Sequence, residues 1–362
     1  MSTFEVTVGP LVGVEPHPNA DRLELAVFGD YRVVVAKGSF NTGDLVAYLP
    51  EASIIPVWLQ HELGVVGKLY GSKKNRVKAV SLRGVVSQGL VYKARDYWQE
   101  GDDVAEELGV TKWEPPVPER LAGEVFNAGA DRTIRYDIEN YRKAPQHMPI
   151  GANVVMTEKV HGTFACFGVL TDRLQTVESG HLCVSSKGLG NNGLALKDNE
   201  RNAQNLYLRT AKNLNILERV RGYFDVEAVG PVFVLGEIFG GNIQDLTYAS
   251  KEPTFRVFDI HLGSQGTRNS GRWLNDHEID EACEAMGLTR VPVLYRGPFD
   301  KDVLKQYTYG KETVSGRASH IREGVVIRPR FEVKCNKLPN NRLQLKSVSD
   351  DYLMRKNATE FT

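Results

Sequence analysis

The stretch Val154-Val155-Met156-Thr157-Glu158-Lys159-Val160-His161-Gly162-Thr163-Phe164 decides how the rest of the chain is read. An apolar run leads into Lys159, a glycine follows three positions later, and a second apolar run, Phe164 to Leu170, leads away. That order predicts strand, tight turn, strand, with one lysine at the lip of the turn. Such a lysine is a nucleophile if nearby cations and partial burial lower its pKa enough to expose the free amine. The bare Lys-x-x-Gly pattern carries little, because it also occurs at Lys68 to Gly71 and at Lys187 to Gly190. Only what the chain supplies downstream singles out Lys159.

A length of 362 residues exceeds one typical core and predicts two domains. With 41% hydrophobic and 25% charged residues, the composition is that of an ordinary globular protein. The net charge is zero, so any surface for nucleic acid must be a local patch. Cys166, Cys183, Cys283 and Cys335 are scattered, with no Cys-x-x-Cys pair, which points to reduced thiols and away from a zinc site. Met1 to Glu5 has no basic segment followed by an apolar one, and no apolar run nears the roughly 20 residues of a membrane span. The expectation is a cytoplasmic protein with no membrane partner.

In the first 120 residues, apolar segments at 4–14, 23–28, 31–36, 44–49 and 77–93 alternate with Gly, Pro, Asn and Asp. Short strands at that spacing predict a small β-barrel or sandwich. Lys73, Lys74, Arg76 and Lys78, interleaved with Tyr70 and followed by Arg83 and Tyr92, suit a groove that tracks an RNA backbone; a solvated loop is the plainer alternative. His17 reads as a turn residue. Asp102 to Leu108 predicts a short helix stopped by Gly109. Pro115, Pro116 and Pro118 have linker composition and put a boundary near residue 120, giving domains of 1–120 and 121–362.

Beyond Thr133, strands are expected at 153–157, 164–170, 232–238, 255–260 and 323–328, and helices at 201–223 and 274–286. The clustering of strands, without βαβ alternation, favours α+β with antiparallel sheets. There is no Walker-type phosphate loop, and no Gly-x-Gly-x-x-Gly is expected to follow a strand, which sets those nucleotide modes aside. Glu237, Asp259, Glu323 and Lys346 each interrupt an apolar run. Singly they suit the outward side of half-exposed strands. Charges in such runs are costly unless paired or used.

Two resemblances organise these pieces. His17-Pro18-Asn19-Ala20-Asp21-Arg22-Leu23, with Leu82-Arg83-Gly84-Val85-Val86-Ser87-Gln88-Gly89-Leu90, resembles the OB-fold tRNA-binding domains appended to some aminoacyl-tRNA synthetases. Lys159-Val160-His161-Gly162-Thr163, Ser185-Ser186-Lys187-Gly188, Leu235-Gly236-Glu237-Ile238-Phe239-Gly240, Phe255-Arg256-Val257-Phe258-Asp259, Glu323-Gly324-Val325-Val326-Ile327-Arg328 and Leu345-Lys346 follow the order of motifs in the covalent nucleotidyltransferases. His-Gly-Thr after the lysine, Gly-Glu-Ile-Phe-Gly, the OB-like domain in front and Arg135 to Arg142 upstream resemble the ATP-dependent RNA ligases with an N-terminal OB domain. One departure stands out: many RNA ligases carry Lys-x-Lys in the last motif, and this chain has Gln344-Leu345-Lys346.

The resemblance implies an OB barrel followed by a ligase domain of the ATP-grasp-like kind, with antiparallel sheets and flanking helices. It implies that Lys159 takes AMP from ATP, that Glu323 and Glu237 hold Mg²⁺ or Mn²⁺, and that Lys346 neutralises the α-phosphate. Glu237 would also accept from the ribose hydroxyls, and Glu158 and Phe255 would seat the adenine. Gly162 would form the nucleotide-facing turn, and Lys187 and Arg142 would touch phosphate or ribose. RNA ends would be the partners of a monomer. A guanylyltransferase, or an RNA-binding protein with an inactive nucleotidyltransferase domain, are the alternatives.

Overall fold

The computed structural model describes residues 4–114, 121–266 and 271–355. Apart from Met1, the chain divides into one unit of Ser2–Glu114 with Asn140–His147, and another of Pro115–Glu139 with Met148–Thr362. The proline-rich linker expected at 115–118 lies outside the described residues. A cut at 120 would have assigned residues 140–147 to the second domain. Instead Asp30 N donates to the Arg142 carbonyl (2.9 Å), and Lys143 Nζ pairs with Glu5 (2.9 Å).

In the N-terminal unit, Thr7–Pro10, Leu45–Leu49 and Leu90–Lys93 form one antiparallel sheet, and Gly13–Pro16, Leu23–Phe28 and Tyr31–Ala36 another. Leu45–Leu49 is buried on both sides because its side chains alternate. Ala47 and Leu49 join Val8, Ile55 and Leu59 in one core, while Val46 and Tyr48 join Ala26, Val33 and Val91 in another. His17 is a turn residue: its ring accepts from Asn19 N (3.1 Å) and reaches the Leu82 carbonyl (3.1 Å). Asn19 Nδ2 donates to the Arg83 carbonyl (2.8 Å), so the His-Pro-Asn turn anchors the hairpin of Val80–Leu82 and Val85–Ser87.

The helix expected at 102–109 does not form. Asp103 uses its carboxylate on Val6 N (2.9 Å) and Ala105 N (3.1 Å), and Val104 N donates to the Val6 carbonyl (3.0 Å). A short acidic side chain that binds nearby backbone competes with the helix, and the sheet edge takes the rest.

The described residues of the second unit form two large antiparallel sheets beside a small pair of Val125–Asn127 with Leu194–Leu196. One runs Leu345–Val348, Gly324–Pro329, Asn153–Lys159, Val293–Pro298; the other runs Leu182–Ser186, Thr163–Val169, Val232–Phe239, Thr254–Leu262, Arg272–Trp273. Alternation divides the second sheet. Ala165, Phe167, Val234, Ile238, Phe255 and Val257 face a core under the helices Leu206–Asn213, Ile216–Tyr223 and Asp276–Ala285. Cys166, Phe233 and Leu235 face the other way.

The long helix expected over 201–223 is broken at Asn215, which adopts a left-handed conformation (φ 48°) that asparagine tolerates. Asp276–Ala285 opens with an Asn275/Glu278 capping box and stops before Gly287 (φ 61°). Gly188-Leu189-Gly190-Asn191-Asn192-Gly193 does follow a strand, Leu182–Ser186, which corrects the sequence expectation. It opens a helix of only 5 residues, and the strand before it pairs antiparallel, so no dinucleotide crossover exists there.

Candidate active site

Lys159 ends a strand of the first sheet, and Thr163 begins a strand of the second. Val160-His161-Gly162 is the turn between the sheets. A Cβ at Gly162 would run into the Ile238 carbonyl, so only glycine lets the turn lie against Val232–Phe239. The Gly162 N–H bonds the Glu237 carboxylate, and Gln244 Nε2 donates to the Gly162 carbonyl (3.0 Å). Strand pairing places Lys159 opposite Gly324, and Val326 of the same strand opposite Lys346. Lys159 and Lys346 thus lie on the two strands that flank Gly324–Pro329, which Glu323 directly precedes, and Glu237 comes from the other sheet.

Lys159 Nζ lies 2.6 Å from Glu323 Oε1. Burial favours the neutral amine, but the charges of Glu323 and Glu237 outweigh it and raise the pKa. This is opposite to the lowered pKa expected from the sequence. The difference is the carboxylate: with Glu323 at hydrogen-bond distance, Lys159 rests as a protonated ion pair. Glu237 is pushed up to about 8, first by burial and then by Glu323, against the pull of Lys159. Lys346 is pressed down to about 8 by burial and by the nearby Lys187 and Lys159. Lys187 moves the same way, and its Nζ sits 2.7 Å from Asp137. Three partly exposed lysines thus share a small space with Glu323, Glu237 and Asp137, an arrangement suited to a polyphosphate.

Glu158 is buried. Its Oε2 accepts from Thr313 N (2.8 Å) and Thr313 Oγ1 (2.6 Å), while its Oε1 has no partner. Glu323 Oε2 is likewise buried without a partner.

One expected residue belongs elsewhere. Phe255 packs on Phe167 (centroids 4.9 Å) in the core beneath the helices, on the face opposite Glu237. Phe164 pairs directly across from Glu237 and so shares its face. Alternation along one strand does not reveal this; it follows from the register of Thr163–Val169 against Val232–Phe239. Arg142 belongs to the N-terminal unit, where its guanidinium donates to Gln88.

Of the expected RNA-contact residues, Arg76 is buried, with its guanidinium 3.7 Å from the Trp113 ring centroid and 4.7 Å from that of Tyr70. That is a packing role. Lys73 and Lys74 are exposed, and Lys78 Nζ lies 4.8 Å from the centroid of Tyr70.

Gln344 is also part of a buried structure. Its Nε2 donates to Tyr136 Oη (3.1 Å), and its Oε1 accepts from Arg342 Nη1 (3.3 Å). Arg342 pairs with Asp259 and Glu332.

Among the described residues, no group of three or more His, Cys, Asp or Glu side chains converges on a point that could hold a metal, and no helix is long and apolar enough to cross a membrane.

An N-terminal small β unit followed by paired antiparallel sheets with a lysine at their junction is the plan of an OB-fold ligase. Residues 5–94 match an OB-fold domain. Residues 152–346, more than half of the chain, match the RNA ligase family, and the chain belongs to it. No curated protein matches it significantly. Among solved structures it is similar to a Naegleria gruberi RNA ligase mutant with ATP and Mn, at 22% identity over 96% of this chain and 97% of that one, with a TM-score of 0.77. A second mutant of that ligase, with AMP and Mn, gives 22% identity, the same coverages and a TM-score of 0.75. An apo mutant gives 22%, 98% of each chain and 0.77. At that identity the likeness establishes the fold.

Proposed function

We propose that this protein is an ATP-dependent RNA ligase that joins 3′-hydroxyl and 5′-phosphate RNA ends through a lysyl-AMP on Lys159, in RNA repair. The observation that carries this reading is the Lys159–Glu323 pair at the junction of the sheets, ringed by Glu237, Lys187 and Lys346. The Naegleria ligase, whose fold this chain shares, has been seen with ATP and Mn, with AMP and Mn, and with pyrophosphate, which supports a nucleotide in the same place.

Lys159 Nζ, once deprotonated, attacks the α-phosphorus of ATP; the N–P bond forms and the P–O bond to pyrophosphate breaks. A 5′-phosphate oxygen of RNA then takes the AMP and frees the lysine, and a 3′-hydroxyl displaces AMP to form the phosphodiester. Each step is an in-line displacement, so position and charge neutralisation carry the rate. Lys346 and Lys187 are the charges for phosphate, and Glu237 is an acceptor for the ribose.

The free, buried Glu323 Oε2 fits a divalent cation of the kind that takes one or two carboxylates and fills its shell with phosphate oxygens and water. Glu323, with Glu237 beside it, would hold Mg²⁺ or Mn²⁺; the ion would neutralise phosphate charge and compete with Lys159 for the carboxylate. Lys73, Lys74 and Lys78 beside Tyr70 are the proposed RNA contacts of the N-terminal unit. A cytoplasmic monomer is the simplest setting, consistent with four free cysteines.

Glu158 favours adenine over guanine. Its unpartnered Oε1 is an acceptor in a dry setting, suited to a 6-amino group and repelled by a 6-oxo group. With α-labelled ATP and Mg²⁺ or Mn²⁺, the protein is expected to carry an acid-labile label, and α-labelled GTP is expected to leave about 100-fold less, since leaving a buried polar group unpaired costs at least that much. Equal labelling by GTP would turn the reading to a guanylyltransferase. Sealing of a panel of nicked duplex, hairpin-break and single-stranded RNAs then identifies the substrate.

A further inference from the structure

His161, two residues after Lys159, is held from both ring nitrogens. Its Nδ1 lies 2.9 Å from Tyr352 Oη, and its Nε2 lies 3.0 Å from Asp245 Oδ1. Arg355 secures both partners. Its Nε donates to Asp245 Oδ2 (2.7 Å) and its Nη2 to Asp245 Oδ1 (3.1 Å), and its guanidinium carbon sits 3.8 Å from the Tyr352 ring centroid. The main chain of the turn is gripped as well, with His161 N donating to Tyr248 Oη (2.6 Å). An aspartate that receives a bidentate guanidinium is a poor base and a fixed acceptor. Arg355 Nη2 also lies 3.3 Å from His161 Nε2, so Asp245 and Arg355 on one edge and Tyr352 on the other fix the ring in place.

We propose that Tyr352 and Arg355, acting with Asp245 through His161, are positioning residues that hold the Lys159 turn in its reactive place. Asp350–Leu353 follows directly on the Leu345–Val348 strand, which carries Lys346. A segment of about ten residues therefore both presents the phosphate-binding lysine and clamps the turn bearing the nucleophile. The two groups keep their relative position because one short piece of chain sets both. None of these residues needs to touch the nucleotide for the clamp to work. This inference rests on Lys159 being the nucleophile.

The test is single-turnover labelling of the full chain by α-labelled ATP, in wild type, Tyr352→Phe, Arg355→Ala and Arg355→Lys. Loss of a positioning contact is expected to slow adenylation by on the order of 10- to 100-fold, with the ATP concentration for half-maximal rate unchanged. Lysine, which keeps one charge contact to Asp245, is expected to recover part of the loss. Asp245→Asn combined with Arg355→Ala is expected to be no slower than the worse single variant, since both act through one ring. Wild-type rates in Tyr352→Phe and Arg355→Ala, or equal losses of rate and nucleotide affinity, overturn the clamp. Histidine ring ¹⁵N shifts give an independent readout, identified by their loss in His161→Ala. A wild-type ring held in a single tautomer and altered by Tyr352→Phe supports the clamp even if no label forms, in which case the ligase reading alone fails. A ring that exchanges freely between tautomers in wild type overturns it.

Discussion

Lys159→Ala is expected to abolish protein labelling by α-labelled ATP and to lower the thermal midpoint, because the buried Glu323 carboxylate loses its partner. The side chain ends at the junction of two sheets and is 27% exposed, so truncation removes the nucleophile and one ion pair but no core packing. The alanine variant should also fail to seal 5′-phosphate RNA, yet should still accept RNA that already carries the 5′-adenylate, because that substrate bypasses the lysine. Label on the alanine variant would sink the assignment of Lys159. The pH dependence of wild-type adenylation follows from the same cluster. Lys159 rests protonated on Glu323, so its reactive form grows as pH rises. Lys346 must be charged to hold phosphate, and in the free protein it loses that charge near 8. The rate at limiting ATP should therefore rise from pH 6 and level off above about 8, where the gain in free Lys159 is offset by the loss of charge on Lys346. At saturating ATP the levelling should move to higher pH, because bound phosphate favours the charged lysine. A rate that climbs steadily through pH 10 at limiting ATP would rule out Lys346 as the phosphate contact.

What the sequence made legible divides by the range of the forces involved. Apolar runs ending in polar or glycine signals placed the strands at 153–159, 163–169, 232–239, 254–262 and 324–329 to within a few residues, because burial on a sheet imposes its pattern locally. Lys159, Glu237, Glu323 and Lys346 were legible as odd charges in those runs. Facing was harder. The face Phe255 takes follows from its pairing with Ile238, but a register shift between Leu235 and Gly236 alters the pairing of Val232–Phe239 with Thr254–Leu262, and no local rule marks it. The Glu323 hold on Lys159 depends on contacts 164 residues apart in sequence, which periodicity does not encode. The same holds for the His161 clamp, whose members Asp245, Tyr352 and Arg355 look like ordinary surface residues in the sequence.

Breaking the Asp259–Arg342 pair is expected to be the most destabilising single change in the second unit. Both side chains are buried, Asp259 completely, and Arg342 also binds Glu332 through Nε (2.6 Å) and Nη2 (2.7 Å). Burial alone would raise the Asp259 carboxyl, but Arg342 and Arg328 overcome it and hold the pKa below the usual range. Arg342→Leu removes the main compensating charge and strands a carboxylate in a dry site, at a cost of about 3–5 kcal/mol. That is a large share of the roughly 5–15 kcal/mol that holds a typical domain folded. The sign of its pH dependence is specific. In wild type, a depressed carboxyl contributes stability above its unfolded pKa, near 4, and loses it as pH falls. In Arg342→Leu the stranded Asp259 takes up a proton readily, so the deficit against wild type should be greatest near pH 7 and shrink toward pH 4. Asp259→Asn combined with Arg342→Leu should recover much of the loss, because no lone charge remains buried. Gln344 belongs to this network, and so the missing lysine of the last motif has a physical reason. A lysine there would place a second cation against the Arg342 guanidinium, where the neutral amide now accepts a hydrogen bond. Gln344→Lys is therefore expected to lower the urea midpoint and leave adenylation no faster. Faster adenylation in that variant, with unchanged stability, would mean that the position faces phosphate and not Arg342.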